Sequence, residues 1–373
     1  MDILLISAME ALGDSRTILL LKMLSEIGVV DCICRTTKTS DNNSTVIFNN
    51  SKVYQFEYSG IKGYLSFIKK CQSLSKKKKY DVIFADNRAA IIPALISKRS
   101  QKSSLMIHDA RELYDIHDVK HLRGKIGCLV EKKYMRKFDL VICANKYRAE
   151  FMRERFSLKD DPLVLENICL LEEDSKITNS EEEKLSSFFI TDKWKILSTD
   201  GYSLIRRTDK LVSAMSELGD NYVLYIAGGQ DDESAKERIL KIIHDKSLDN
   251  VFYLGRLNRQ ELKYCIDKVD LGIVSYNQDD LNNQLCASGK LFEFINEGKP
   301  VVTTTNRPLK YYCDTYHIGL YDDDYYDAIK DVFSNYLYYK NQVEALDCKS
   351  LLKEQSSVIQ SIILKYTKAV NNK

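Results

Sequence analysis

A lysine and a glutamate stand one helical turn apart in the segment 288–302, and their types suit a ligand with both charge and hydroxyl groups. A helix that starts near Ser288 places Lys290 and Glu293 on neighbouring faces. The N-terminal end of such a helix carries unpaired N–H groups and a positive dipole, which favour phosphate. A nucleotide sugar offers phosphates and hydroxyl groups together. An ordinary solvated ion pair on a helix surface is the alternative interpretation.

A second basic group follows the strand predicted at 194–198. There Gly201 turns the chain, and Arg206 and Arg207 precede a predicted helix, where guanidinium groups and backbone N–H groups can meet a diphosphate. Gly228 and Gly229 end the next predicted strand, where a chain can turn sharply or approach a ligand closely. The alternative is that the two arginines only cap and solvate a helix.

Polar residues also follow a predicted buried strand in the N-terminal half. His108 and Asp109 close the strand at 104–109, and Arg111 and Glu112 come directly after it. Substrates of α/β proteins bind at the carboxyl ends of parallel strands. These residues, with Gly13 in the loop after the first strand, are therefore candidates for a second binding region.

The segment 288–302, Lys-x-x-Glu followed by Gly-x-Pro-Val-Val, resembles the donor site of retaining GT-B glycosyltransferases of family GT4. The resemblance implies that Lys290 and Arg207 are catalytic cations that oppose the charge on the leaving diphosphate. It also implies catalytic roles for Asp109 and Glu112, in a segment similar to the family's Asp-x-His-Glu-Leu. The implied acceptor-side residues are Gly13, His108 and Arg111. The implied donor-binding residues are Gly201, Arg206, Arg207, Gly228, Gly229, Arg256, Leu257, Asn283, Ser288, Gly289, Lys290, Leu291 and Glu293.

The chain departs from the family pattern at three positions. Leu285 stands where the family has a first glutamate, Arg111 replaces a histidine, and Tyr202 replaces a basic residue. The Asn-rich loop that contains Asn283 is similar to that of capsule and O-antigen branches of the family, where it would supply polar groups to the donor sugar. These departures leave two alternatives to a transferase: a GT-B sugar-nucleotide epimerase, or a catalytically silent subunit that binds nucleotide or scaffolds a partner.

Short apolar runs alternate with longer helical patterns along the whole chain, which predicts an α/β fold with parallel sheets and crossover helices. With the resemblance, this predicts GT-B architecture, in which two Rossmann-like, doubly wound domains face a central cleft and a C-terminal helix crosses back to the N-terminal domain. The predicted boundaries are an acceptor-binding domain at 1–170, a linker at 171–190, a nucleotide-sugar donor domain at 191–350, and the crossing helix with its tail at 351–373.

The composition is that of a globular protein with two domains. The chain has 373 residues, 44% of them hydrophobic and 29% charged, and its net charge is +2. We expect no signal peptide, a cytoplasmic location, and ten reduced cysteines that lie mainly in the core. The acidic run 322–324 is expected to cap a helix rather than to bind a metal. The resemblance implies a UDP or GDP sugar as donor and no metal or other cofactor.

Positive charge is concentrated in residues 60–159, which hold 24 Lys and Arg against 10 Asp and Glu. Anionic lipid, nucleic acid and a merely solvated face are three explanations. The segment 120–137 mixes apolar and basic residues as helices that lie on membranes do, and no nucleic-acid motif is present. The expected partners are therefore the nucleotide sugar, a glycan or lipid-linked acceptor, and an anionic membrane surface, which would make the protein peripheral on the inner face of the cell membrane.

Overall fold

The computed structural model describes residues 1–36, 45–49, 51–101, 103–168 and 177–371. They form two compact units. Unit 1 consists of Met1–Glu166 and Ser350–Lys373, and unit 2 consists of Asn167–Lys349. Each unit contains one sheet with helices packed against it, which is the alternating α/β architecture that the apolar runs predict.

The sheet of unit 1 has eight strands in the order β3-β4-β2-β1-β5-β6-β7-β8. All neighbours are parallel except β3 and β4, which are antiparallel. The central strands are apolar runs buried on both faces, as expected for a parallel sheet. The strands are β1 (Asp2–Glu10), β2 (Val29–Thr36), β3 (Thr45–Phe48), β4 (Ser51–Glu57), β5 (Val82–Asp86), β6 (Leu105–Ala110), β7 (Leu140–Cys143) and β8 (Leu163–Val164).

The helices of unit 1 follow the strands along the chain, with short 3₁₀ turns at Arg88–Ala90 and Met135–Lys137. The C-terminal helix belongs to the same unit, because its Ile359 and Ile363 lie in the core beneath β1 and β2. Its Gln355 also accepts a hydrogen bond from the backbone N–H of Glu166 at 2.9 Å. The predicted return of the last helix to the N-terminal domain is thus confirmed. The helices are α1 (Ser15–Ser25), α2 (Gly60–Lys77), α3 (Ile91–Lys98), α4 (Leu122–Tyr134), α5 (Lys146–Phe156) and α15 (Cys348–Asn371).

The sheet of unit 2 has six parallel strands in the order β11-β10-β9-β12-β13-β14. They are β9 (Trp194–Ser198), β10 (Tyr222–Ala227), β11 (Val251–Gly255), β12 (Leu271–Val274), β13 (Val301–Thr303) and β14 (Gly319–Tyr321). The larger helices are α6 (Asn179–Ser186), α7 (Thr208–Leu218), α8 (Glu233–Asp245), α9 (Arg259–Lys268), α11 (Gly289–Asn296), α12 (Arg307–Tyr316), α13 (Tyr326–Ser334) and α14 (Tyr336–Ala345). The single-turn helix α10 (Leu281–Gln284) lies between β12 and α11.

The region predicted as a linker, 171–190, contains regular structure. Residues 171–176 lie outside the described part of the chain, as does Cys169, one of the cysteines expected in the core. Helix α6 begins after Thr178, whose side chain accepts from the N–H of Glu181 while Glu181 bonds back to Thr178. The Thr-x-x-Glu pattern of this capping box is present in the sequence. The acidic composition of the surrounding segment led instead to its prediction as a linker.

Within the described ranges, no helix is long and apolar enough to cross a bilayer. All nine described cysteines are free thiols. Eight of them are buried, and the ninth, Cys286, is partly exposed.

Candidate donor site and acceptor-side network

Helix α11 presents Lys290 from its first turn. The Ser288 side chain caps the helix by accepting a hydrogen bond from the N–H of Lys290 at 3.3 Å. Leu291, Phe292 and Ile295 are buried, as the spacing predicts. The helix ends before Gly298, whose φ of +69° suits a glycine after a helix. Glu293 is half-buried one turn beyond Lys290.

Lys290 reaches across to the loop after β9. Its Nζ lies 2.5 Å from Oδ1 of Asp200 and 3.1 Å from the carbonyl oxygen of Thr199. The Asp200 side chain is only 1% exposed, and the Arg206 Nε lies 3.9 Å from the same oxygen. The Arg206 guanidinium stacks 4.1 Å from the centre of the buried Tyr276 ring. Two cations from α11 and from the loop after β9 therefore converge on one buried carboxylate.

Three polar atoms of this cluster make no hydrogen bond to any residue that the structure describes. They are Oδ2 of Asp200, Nη1 of Arg206 and Oγ1 of Thr199. Buried polar atoms are nearly always paired in folded proteins, and exceptions concentrate at functional sites. The cluster also lies at the carboxyl ends of three neighbouring strands, β10, β9 and β12, where α/β sheets bind ligands.

Gly201, Gly228 and Gly229 pack against one another beside this cluster. A Cβ on Gly201 would lie 1.9 Å from the carbonyl oxygen of Gly229, and the φ of Gly201 is +64°. The N–H groups of Gly201 and Gly228 donate to the carbonyls of Ala227 and Gly255, each at 2.8 Å. These two N–H groups are therefore occupied within unit 2 and are not available to a diphosphate. The glycines serve to bring the β9 and β10 loops into contact.

Two of the implied donor-binding residues, Arg256 and Leu257, lie at the next strand. The exposed Arg256 follows β11, and its Nη2 would be 3.0 Å from a Cβ on Gly229, so its guanidinium covers that glycine. Leu257 is half-buried. Tyr202, which stands where the family has a basic residue, is buried and stacks on Tyr253 with ring centres 4.3 Å apart. An aromatic pair thus replaces a charge in this loop.

Arg207 points to a different carboxylate. Its Nη1 lies 2.8 Å from Oδ1 of Asp323. Asp323 is itself held by Thr305, whose N–H and hydroxyl donate to it at 3.2 and 2.7 Å. The φ of Arg207 is +58°, a strained conformation for a residue with a side chain, and such strain is frequent at functional positions.

The acidic run 322–324 does not cap a helix, so that expectation is wrong. Helix α13 begins after Tyr325, which makes no side-chain cap. Asp323 pairs with Arg207, and Asp324 lies 3.2 Å from Lys210. The run supplies counterions to the basic residues at the start of α7.

Asn283 lies buried in the loop before α11. Its Nδ2 donates to Asn277 at 2.9 Å and to Asp280 at 2.6 Å, and its carbonyl oxygen accepts from Asn306 at 2.9 Å. These bonds hold the loop after β12, and they leave no amide hydrogen of Asn283 for a sugar. Leu291 faces the core, and Gly289 opens α11.

In unit 1, Asp109 is a buried partner of Arg16. The Arg16 Nε and Nη2 donate to its two oxygens, each at 2.8 Å, and Asp109 has no exposed surface. Burial by itself would raise the pKa of Asp109, but the charge and hydrogen bonds of Arg16 hold it below its usual value. This environment is that of a structural carboxylate, and it does not support contact between Asp109 and a substrate.

Arg111 is held in the same network. It forms an ion pair with Asp86 through two N–H groups, and it bonds Asp14 at 2.5 Å and the hydroxyl of Thr17 at 2.7 Å. Asp86 is fully buried, and burial raises its pKa above the usual value. The arginine that replaces the family's histidine thus fastens the end of β6 to the end of β5 and to the start of α1.

The remaining acceptor-side candidates are dispersed. His108 is fully buried, with Nδ1 3.0 Å from the carbonyl oxygen of Ala85 and Nε2 3.8 Å from the buried Glu131. Glu112 is partly exposed, and its nearest cation is Arg88 at 4.0 Å. At Gly13 a Cβ would make only ordinary contacts, so no steric need for glycine exists there. Of these three, Glu112 alone presents a charged group to solvent.

Comparison with solved structures identifies proteins that share this architecture. Alr3699/HepE of Anabaena, solved in complex with UDP-glucose, superposes with a TM-score of 0.72 at 12% identity, over 99% of this chain and 100% of that one. The fold is GT-B. A UDP-GlcNAc 2-epimerase of Neisseria meningitidis bound to UDP-GlcNAc also has it, with a TM-score of 0.64 at 13% identity, over 98% of this chain and 100% of that one.

Sequence comparison covers less of the chain. A protein of Bacillus subtilis named as the teichuronic acid biosynthesis glycosyltransferase TuaH is 35% identical over 89 residues. The match spans 23% of this chain and 22% of that protein. No family model matches the chain.

Four residues of this GT-B chain that organise the candidate sites were not predicted from the sequence: Arg16, Asp86, Asp200 and Asp323. Arg16 and Asp109 are 93 positions apart along the chain, and Lys290 and Asp200 are 90 apart. Asp200 carried a readable signal, because it directly precedes the glycine after a strand. Across the described ranges, no group of three or more His, Cys, Asp and Glu residues is arranged to hold a metal ion.

Proposed function

We propose that this chain is a retaining glycosyltransferase of GT4 type that transfers a hexose from a nucleoside-diphosphate sugar. The acceptor would be a glycan or a lipid-linked glycan in surface polysaccharide synthesis, at the inner face of a membrane. The observation that carries the proposal is the convergence of Lys290 and Arg206 on the buried Asp200, beside Gly201. UDP-glucose in a protein of the same fold supports the choice of donor.

Unit 2 supplies the chemistry in this proposal. As the glycosidic bond to the diphosphate breaks, negative charge grows on the leaving group, and preorganised cations stabilise it. Lys290 stands at the start of α11 and Arg207 at the start of α7, where helix dipoles add to their charge. Glu293 would accept hydrogen bonds from the ribose hydroxyl groups, one turn beyond Lys290.

Ion pairs hold these cations in place before a ligand binds. Asp200 holds Lys290, and Asp323, anchored by Thr305, holds Arg207. A cation whose side chain is already oriented loses less conformational entropy when it binds a phosphate. We therefore assign Asp200 and Asp323 to the positioning of the two cations rather than to contact with the transferred sugar.

A sugar-nucleotide epimerase is the second candidate, because one solved structure of the same fold is an epimerase bound to its nucleotide sugar. An epimerase would bind the donor in the same way and need no acceptor. The catalytically silent subunit is the third outcome that the departures at Leu285 and Arg111 leave open.

A donor screen separates the three. The purified chain is incubated with UDP and GDP sugars, with and without a lipid-linked glycan acceptor, and both nucleotide release and the sugar products are measured. Acceptor-dependent release of UDP or GDP supports a transferase. The transferase is retaining if NMR shows that the sugar in the product keeps the anomeric configuration, axial or equatorial, that it had in the donor. An isomerised nucleotide sugar without acceptor identifies an epimerase, and binding without product identifies a silent subunit.

A further inference from the structure

Two helices of unit 1 expose apolar side chains in regular stripes. On α4, Leu122, Ile126 and Leu129 are 75%, 51% and 55% exposed, and their spacing places them on one face. On α2, Ile61 and Leu65 are 81% and 52% exposed and also lie one turn apart. Single exposed apolar residues are ordinary, but aligned stripes on neighbouring helices indicate a surface that meets an apolar partner.

The two helices that carry the stripes both pack on the short turn at Arg88–Ala90, after β5. The hydroxyl of Tyr64 on α2 donates to the carbonyl of Ala89 at 2.7 Å. The Arg88 side chain of the same turn lies against Gly127 of α4, where a Cβ would be 3.2 Å from its Cδ. Burial raises the pKa of the Tyr64 phenol, and the positive charge of Arg123 on α4 partly opposes that rise.

The exposed charges on α2 and α4 themselves have one sign. Helix α2 contains no acidic residue, and the one acidic residue of α4, Glu131, is buried. Exposed cations flank the stripes: Lys62 on α2, and Arg123, Lys125, Lys132 and Lys133 on α4. Two helices that expose apolar stripes and only basic charges complement an anionic lipid bilayer, which offers acyl chains below a layer of negative headgroups.

We propose that α2 and α4 form a docking face for an anionic bilayer, with Leu122, Ile126, Leu129 and Ile61 entering the headgroup boundary. A nucleic acid would use the cations but would leave these apolar side chains in water. The inference rests on the proposed function for its purpose: Arg88, on the turn between the helices, lies 4.0 Å from Glu112, so docking would bring this acceptor-side carboxylate close to the lipid that carries the acceptor.

The expected loss of binding follows from the charges. Each basic residue near an anionic surface contributes about 1 kcal/mol, which is about fivefold in partition. Replacing Lys125, Lys132 and Lys133 by Gln should weaken binding about a hundredfold. Replacing Leu122, Ile126 and Leu129 by Ser should reduce binding at least tenfold, because the apolar area that enters the boundary is lost.

The test is co-sedimentation of the full chain with phosphatidylcholine vesicles that contain or lack phosphatidylglycerol, at low and high NaCl. The matched controls lie in unit 2: the apolar triple Ile190→Ser, Leu240→Ser and Leu337→Ser, and the basic triple Lys236→Gln, Lys241→Gln and Lys246→Gln. Every substituted residue is at least partly exposed, so thermal melting should stay unchanged. A single variant, Lys125→Gln, keeps the test valid if a triple variant does not fold.

Salt-sensitive binding that requires phosphatidylglycerol, is lost in both α4 triples and survives in both controls supports the docking face. Equal binding by the α4 variants and the wild type overturns it, as does binding to RNA but not to vesicles. UDP binding, measured by calorimetry on the same proteins, tests the donor site separately. Failed vesicle binding with intact UDP binding refutes the docking face alone, and the reverse result refutes the donor site alone.

Discussion

Replacing Asp109 should destabilise the protein rather than disable its chemistry. Both oxygens of Asp109 are bonded by Arg16 at 2.8 Å, and the two side chains are 0% and 6% exposed. Removing one partner of a buried ion pair costs about 3–5 kcal/mol because the other charge is left buried. In Asp109→Asn, Arg16 keeps its hydrogen bonds to the carbonyls of Leu165 and Glu166, so we expect about 3 kcal/mol.

For a domain of this size, 1 kcal/mol shifts the melting temperature by about 2–4 °C, so the expected loss is about 6–12 °C. It is measured by circular dichroism melts of the wild type and of Asp109→Asn. The control is Asp161→Asn, which removes an exposed pair with Arg153 in the same unit and should leave the melt unchanged. The double variant Arg16→Met with Asp109→Leu should recover most of the loss, since an apolar pair of similar volume avoids burying charge.

The reasoning is refuted if Asp109→Asn has the same melting temperature as the wild type but has lost nucleotide-sugar turnover. That result would return Asp109 to the catalytic role that the family resemblance implies. Reduced stability with UDP binding preserved below the melting temperature is the outcome that the buried pair requires.

Three more tests address the donor site and one addresses acid stability. Lys290→Ala should lower turnover about 10²–10³-fold without changing the melt, because an oriented cation is lost; the control is Lys210→Ala, from an exposed pair, and unchanged turnover in Lys290→Ala contradicts the assignment. Arg207→Ala and Asp323→Ala should be non-additive in UDP affinity by about 0.5–3 kcal/mol in a double-mutant cycle, with Asp324→Asn as the neutral neighbour. UDP should slow alkylation of Cys286, the accessible thiol near α11, by iodoacetamide, as measured by mass spectrometry; an alkylation rate that UDP does not change contradicts this prediction. In the folded state Arg111 lowers the pKa of Asp14 and Arg16 lowers the pKa of Asp109, against the effect of burial. The stability that these two carboxylates contribute is therefore complete above about pH 3.8 and is lost as the pH falls below it. The pKa of Asp86 is raised, so Asp86 opposes this trend. Urea midpoints between pH 3 and 6 measure the balance, and a midpoint that rises on acidification contradicts it.

Local patterns in the sequence determined the alternation of strands and helices. Apolar runs such as 3–8 and 222–227 are buried strands, and the helix that carries Lys290 begins directly after its N-cap residue Ser288, near the predicted start. These features depend on residues within one or two turns of each other, so periodicity and caps suffice to predict them.

Contacts between distant residues were decided only in the tertiary structure. The sequence offers no rule that pairs Lys290 with Asp200, Arg207 with Asp323, or Asp109 with Arg16, because the strand order of each sheet brings these side chains together. Burial then decides what each charge does: Asp109, enclosed by Arg16, becomes a structural ion, while Lys290 and Arg207 keep part of their surface for a ligand. Residue type and spacing therefore identified the candidate cations, and only the packing of the sheets determined which carboxylates hold them.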